Sequence, residues 1–364
     1  MTPIDLTSLG WDEQFSSELE DLRTMAGAGA GEIVAARVTR VDRGACDAMS
    51  AEGPVRATFA GSLLTAGAVD PVATPCVGDW LALRRWPDGR FSAESVLPRR
   101  TAFVRAAVTP GVSHGQVLAA NVHRVVVVEG LHPEPDLGRI ERFLALAWES
   151  GATPLVVLTK ADLVPDAEAV RSEVAAAAPG VDVVFVSSTT GDGIESMRPY
   201  VEPGRTLAFL GPSGAGKSTL TNALAGSDVM FTRELRADGK GRHTTVHREL
   251  VVLPGGGLIV DTPGLRSVGL TDVSESLELV FAEVEALAED CRFADCQHST
   301  EPGCAVLAAL DSGELPERRL ESYRKLLREA RWMAMRHDAR LRSEERAKWK
   351  RVHKEIRQSG KIRP

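Results

Sequence analysis

Residues 156–163 read VVLTKADL and residues 211–218 read GPSGAGKS, and the order of these two stretches decides how the chain folds. The first closes an apolar run with Thr-Lys-Ala-Asp, the pattern by which a loop at a strand end reads the edge of guanine. The second matches G-x-x-x-x-G-K-S between the strand-like RTLAFLG and the helix-like STLTNALAG, the context a phosphate-binding loop requires. The usual order puts the phosphate loop first; here it follows the base loop by about fifty residues. A site needs its loops to meet in space and is indifferent to their succession along the chain. Joining the ordinary ends and opening the chain before HRVVVVEGL (123–131) yields the same sheet in rotated order. The reading is therefore a circularly permuted nucleotide-binding α/β domain.

Each loop carries residues suited to one part of a magnesium-bound guanosine triphosphate. The backbone of Gly211, Pro212, Ser213, Gly214, Ala215 and Gly216 would wrap the phosphates at a helix N-terminus that already favours anions. Lys217 would reach the β- and γ-phosphates and the Ser218 hydroxyl would ligate Mg2+, with Thr219 in the same turn. Downstream, LIVDTPG puts Asp261 at a strand end, where it holds Mg2+ through water, while the Gly264 amide meets the γ-phosphate. Between these, GKGRHTTV offers Thr244 or Thr245 as a further Mg2+ ligand in a glycine-flanked loop that orders with GTP. Asp162 accepts from the N1 and N2 edge of guanine, a donor pair adenine lacks. The Lys160 stem lies along the base, Thr159 and Ala161 complete that loop, and Ser187-Ser188 after the next strand supply an amide to O6. Strand-end loops are where ligands of open parallel sheets gather.

A chain of 364 residues with 43% hydrophobic content has room for two or three domains. No apolar run approaches the ~20 residues of a membrane span, and the acidic start lacks a signal-peptide pattern, which predicts a cytoplasmic protein. Residues 314–364 carry 17 Lys+Arg against 8 Asp+Glu, net +9, whereas the rest carries 26 against 42, net −16. A basic end on an acidic body points to an anionic partner met by that end, or to a solvated helix rich in ion pairs.

Along the chain, residues 1–31 read as an amphipathic segment and an Ala/Gly linker, and 32–105 as short strands forming an oligonucleotide-binding (OB-fold) β-barrel. Arg84, Arg85, Arg90, Arg99, Arg100 and Arg105, with Trp80 and Trp86 among them, would suit RNA; composition alone favours tryptophans in the core and arginines in water. Residues 106–285 alternate strands and helices as the permuted domain, and 286–364 hold a cysteine cluster and a basic helical tail. Cys291-x4-Cys296-x-His298-x5-Cys304 offers three thiolates and an imidazole in a short loop, a closed tetrahedral set for one structural Zn2+.

The combination of VGDW (77–80), AAN (119–121), TKADL, GPSGAGKSTL, GRHTT (241–245), DTPG (261–264) and CRFADCQHSTEPGCAV (291–306) closely resembles the small ribosomal subunit biogenesis GTPase A family (RsgA), over roughly residues 32–310. The resemblance implies a monomeric cytoplasmic GTPase, stimulated by the 30S subunit, that binds 16S rRNA, assists late 30S maturation and leaves on hydrolysis. Many GTPases orient the attacking water with a Gln after D-x-x-G; Leu265 stands there, so the resemblance and the chemistry of imidazole point to His243. Two positions depart from the pattern: Thr159 replaces a common Asn, and His123 stands where the family often has Asp. Two other classes remain to be weighed, a P-loop ATPase and a zinc-dependent rRNA-binding module with a degenerate nucleotide site. The guanine loop argues against the first, and intact Lys217, Ser218, Asp261 and Asp162 against the second.

Overall fold

The structure, a computed structural model, describes residues 3–26, 31–105, 115–132, 134–165, 167–227, 248–261 and 274–337. His243, Thr244, Thr245 and Gly264, and the tail beyond residue 337, lie outside the described residues. The chain forms two compact units, one containing the strands up to residue 105 and from 116 to 261, the other the helices from residue 274.

In the first unit, β1 (Glu32–Asp42), β2 (Ala45–Ser50), β3 (Gly53–Phe59), β4 (Trp80–Arg85) and β5 (Phe91–Val96) run in the order β1-β2-β3-β5-β4, and β1 also pairs with β4. That last pairing closes a five-stranded barrel and removes its free edges, as in an OB fold. Helix α2 (Gly61–Val69) connects β3 towards β4 and buries Leu63 against the barrel core of Val38, Ala57, Leu81, Leu83 and Ala93. Trp80 is fully buried, whereas Trp86 is partly exposed and donates to Ser92. Five of the six barrel arginines face a carboxylate of the chain itself: Arg84 with Glu94, Arg85 with Glu52, Arg90 with Asp88, Arg99 with Asp79 and Arg100 with Asp12.

Ahead of the barrel, α1 (Glu13–Ala26) turns Phe15 and Leu19 inward, and Trp11 packs edge-on against Trp80 with centroids 4.7 Å apart. Arg37 of β1 is fully buried beneath them. Its guanidinium donates to the carbonyls of Leu9, Gly78 and Asn121, so one cation joins the N-terminal segment, the barrel and the entry to the next domain. A short antiparallel pair, β6 (Ala102–Arg105) and β7 (Gln116–Ala120), follows the barrel.

Six further strands extend the sheet: β8 (Arg124–Gly130), β9 (Thr153–Thr159), β10 (Val183–Phe185), β11 (Thr206–Leu210), β12 (Glu249–Val252) and β13 (Leu258–Asp261), in the order β10-β9-β8-β11-β13-β12. All neighbouring pairs are parallel except β12 with β13. Buried strands with helices on the faces read as continuous apolar runs, and β8, β9 and β11 do so. Helices α3 (Leu137–Glu149), capped by Asp136, and α4 (Ala167–Ala177) make the crossovers, and α5 (Lys217–Ala225) follows β11. The strand order reverses between β8 and β11, and a crevice for ligands opens at such a switch point, beyond the carboxyl ends of the strands.

The second unit holds α6 (Ser274–Val280), α7 (Ala282–Glu289), α8 (Ala305–Ser312) and α9 (Glu317–His337). The helix α9 is amphipathic, burying Leu320, Tyr323, Leu326 and Ala330 at helical spacing. Tyr323 packs edge-on against Phe281, and Arg319 lies over the same ring while donating to Glu283.

Candidate nucleotide site and metal knuckle

The phosphate loop leaves the end of β11 and runs into the first turn of α5. Glycine is required at its start: a Cβ on Gly211 would lie 2.1 Å from the Val128 carbonyl of β8. Gly216, directly before α5, has φ +89°, a left-handed conformation that other residues adopt only with strain. The backbone amides at the start of α5 thus face the crevice, where an anion is favoured. Lys217 Nζ donates to the carbonyls of Gly211 and Pro212 at 2.9 and 2.7 Å, which holds the ammonium over the loop. Ser213, Gly214 and Thr219 are exposed, Ala215 is buried, and Pro212 and Ser218 are intermediate.

The base loop leaves β9, on the other side of β8. Thr159 is buried, and its hydroxyl donates to the carbonyls of Ala215 at 2.6 Å and Glu129 at 3.3 Å. One side chain therefore ties the base loop to the phosphate loop. Lys160 has φ +62°, uncommon for a residue with a Cβ, and its Nζ donates to the carbonyl of His132 at 3.1 Å. Asp162 is exposed in the single 3-10 turn Ala161–Leu163. The Ala161 amide donates to the Val186 carbonyl at 3.2 Å, which joins this loop to the one after β10. In that loop the Ser187 amide donates to Asp192, whereas the Ser188 hydroxyl is enclosed with no partner among the described residues. Asp261 ends β13, next to β11 in the sheet. The base, base-support and phosphate loops thus come together at the carboxyl ends of the strands, joined by hydrogen bonds that sequence spacing did not reveal.

His123 directly precedes β8. Its Nδ1 accepts the Thr206 amide at 3.0 Å, and its own amide donates to the Thr206 carbonyl at 2.9 Å. An Asp at this position could accept the same amide. Burial, then the neighbouring Arg37, push the His123 imidazole down to about 4.

In the second unit, Cys291, Cys296, His298 and Cys304 bring one ligand atom each to within 4.8 Å of one another. A tetrahedral zinc with bonds of about 2.3 Å to sulfur and 2.0 Å to nitrogen has edges of about 3.8 Å between sulfurs and about 3.5 Å from sulfur to nitrogen. The Cys291 and Cys304 sulfurs are 3.8 Å apart, and His298 Nδ1 lies 3.6 and 3.5 Å from them. The group can hold a metal ion. Burial lowers the His298 pKa, favouring the neutral ring a metal needs. Cys304 also caps α8, its sulfur accepting the Leu307 amide at 3.4 Å.

Sheet order, phosphate loop and base loop define a P-loop GTPase domain wound in circularly permuted order, preceded by an OB-like barrel. A family pattern described as RsgA GTPase matches residues 96–271. Small ribosomal subunit biogenesis GTPase RsgA of Streptomyces avermitilis is 53% identical over 350 residues, covering 95% of this chain and 91% of the relative. The protein of the same name from Opitutus terrae is 46% identical over 368 residues, covering 98% of each. Among solved structures, YjeQ from Thermotoga maritima matches with a TM-score of 0.60 and 27% identity over 82% of this chain and 99% of that one. YloQ, described as a circularly permuted GTPase, matches with a TM-score of 0.60 and 25% identity over 82% of this chain and 95% of that one. The chain belongs to the family of the small ribosomal subunit biogenesis GTPase RsgA.

Proposed function

We propose that the chain hydrolyses GTP to GDP and phosphate while bound to the 30S subunit, where it contacts 16S rRNA and assists late maturation. The observation that carries the nucleotide reading is the Thr159–Ala215 hydrogen bond, which fixes the base loop against the phosphate loop. Asp162 then reads guanine, Lys217 the β- and γ-phosphates, and Ser218 holds Mg2+ with Thr244 or Thr245. Asp261 acts through water, Gly264 meets the γ-phosphate, and His243 orients the attacking water. The ribosomal partner is supported by the names of the relatives and by the net charge of +9 over residues 314–364. Cys291, Cys296, His298 and Cys304 would hold one structural Zn2+, whose closed ligand set leaves no position for water. No helix among the described residues is long and apolar enough to cross a membrane, and the chain acts as a monomer in the cytoplasm on this reading.

The test is phosphate release from GTP and from ATP, with and without 30S subunits. GTP turnover that rises with 30S supports the reading, and equal use of ATP would sink it. In the same assay His243→Ala should keep GTP affinity and lose the stimulated rate.

A further inference from the structure

The loop between Cys296 and Cys304 contains a carboxylate that binds the loop itself. Glu301 Oε1 accepts the Gln297 amide at 3.0 Å, and Oε2 accepts the amides of Ser299 at 2.7 Å and Thr300 at 3.0 Å. The Ser299 hydroxyl donates to the same Oε2 at 3.3 Å. These amides bracket His298, the ligand between them. His298 itself has φ +52°, a conformation costly for a residue with a Cβ, which persists only where its surroundings impose it. No helix or strand imposes it here, since residues 297–301 are irregular. Two side chains do so instead: Glu301 gathers the amides on both sides of His298, and Arg324 of α9 donates to the His298 carbonyl. The amides also hold the Glu301 carboxyl well below the usual carboxylate range, at about 2, so it stays an ionised acceptor. Its oxygens are turned to the backbone, and Glu301 is not among the converging metal donors.

We propose that Glu301 is a positioning residue of the metal knuckle, folding residues 297–301 into the turn that presents His298 Nδ1 to the sulfurs of Cys291 and Cys304. A ligand already held in place loses less freedom when the metal arrives, so the cost of ordering the loop is met before binding. The alternative is an ordinary surface turn whose cap has no bearing on the metal. Partners that orient a metal's ligands typically change affinity 10–100-fold when removed, which separates the two.

The inference rests on the knuckle being a zinc site, and the experiment keeps the two apart. The full-length chain and its Glu301→Ala, Glu301→Gln and Glu321→Gln variants are titrated with Zn2+ against a chromogenic chelator, and each is also saturated with Co2+ for its visible spectrum. Glu301→Ala should weaken Zn2+ binding roughly 10–100-fold. Glu301→Gln should fall between, because its oxygen can still serve Ser299 and Thr300 while its NH2 group meets the Gln297 amide donor to donor. Glu321→Gln removes the same charge elsewhere on the unit and should bind as the parent does. At saturation the Co2+ spectra should coincide, because the ligand set is unchanged.

A Glu301→Ala chain that binds Zn2+ within about twofold of the parent would overturn the proposal. So would a shifted Co2+ spectrum, which would make Glu301 a ligand, or an equal loss in Glu321→Gln, which would make the effect one of bulk charge. If Glu301→Ala loses its helical circular dichroism, the near-isosteric Glu301→Gln gives the same comparison. A parent chain that takes up no Zn2+ would remove the zinc reading itself, whereas a parent that binds alongside equally tight variants removes only the part of Glu301.

Discussion

The hydroxyl of Thr159 donates to the carbonyl of Ala215 at 2.6 Å, joining the last residue of β9 to the turn that follows β11. Thr159, where many GTPases have Asn, thus cross-links the two loops. Thr159→Val preserves the shape but leaves the Ala215 carbonyl without this donor. A lost buried hydrogen bond is worth about 1–1.5 kcal/mol, so GTP and GDP affinity should each fall by roughly tenfold. Titration with a fluorescent guanine nucleotide measures this, and Thr159→Ser should restore binding. Unchanged affinity in the valine variant would remove the cross-link from the binding mechanism.

We propose that Asp162 gives guanine selectivity, its two oxygens accepting from two donors of the base. Asn at this position offers one acceptor and one donor. Asp162→Asn should lose affinity for GTP by roughly 10–100-fold, the worth of one to two buried hydrogen bonds, and gain it for xanthosine triphosphate. In xanthine a carbonyl replaces the amino group. Competition between the two nucleotides reads the exchange directly; a variant that still prefers guanine would show that another group reads the base.

Arg37 is a charge without water, held by the carbonyls of Leu9, Gly78 and Asn121. Arg37→Met fits the space and leaves the buried carbonyls of Leu9 and Asn121 without a donor, while that of Gly78 keeps the Asn121 side-chain amide. At about 1–3 kcal/mol each for unsatisfied buried groups, with partial relaxation, a loss of roughly 3 kcal/mol or more is expected. The urea midpoint of the first unit should drop with an unchanged slope, whereas a midpoint close to the parent's would mean that water or repacking replaces the cation.

His123 gives a pH dependence of known sign. Its folded value of about 4 lies below the ordinary 6.5, because burial and then Arg37 oppose the charged ring. Between these values the unfolded chain binds more protons, so stability is complete above about 6.5 and is lost as pH falls towards 4. His123→Asn keeps an acceptor for the Thr206 amide and cannot titrate. Urea midpoints at pH 7 and pH 5 should differ less in the variant than in the parent; an equal difference would assign the effect to other groups.

The sequence revealed what repeats or punctuates. The apolar runs 124–130, 153–159 and 206–210 could only be buried strands, and the glycines of the phosphate loop marked its turn. Hydrogen-bonding partners were hidden. Arg85 and Glu52 are 33 residues apart and Arg99 and Asp79 20 apart, so charge alone could not tell a free arginine from a paired one. The strand β2, with sequence ACDAMS, carries no strand pattern of its own, since alanine and aspartate have little intrinsic preference for strands and its hairpin partner β1 decides its state. The cross-link through Thr159 and the clasp of Glu301 run from side chain to backbone, and no periodicity records such bonds.

The position of β11 also bears on how the protein is made. A ribosome synthesising this chain releases β8, β9 and β10 first, and they can pair in the order they emerge. The flank of β8 that later receives β11 stays an open edge until residue 210 has been made, and β13 can dock only after that. The seat beside β8 is thus filled only after the β8-β9-β10 flank has been made, and a nascent chain halted between β10 and β11 would expose the seam that the finished enzyme keeps shut.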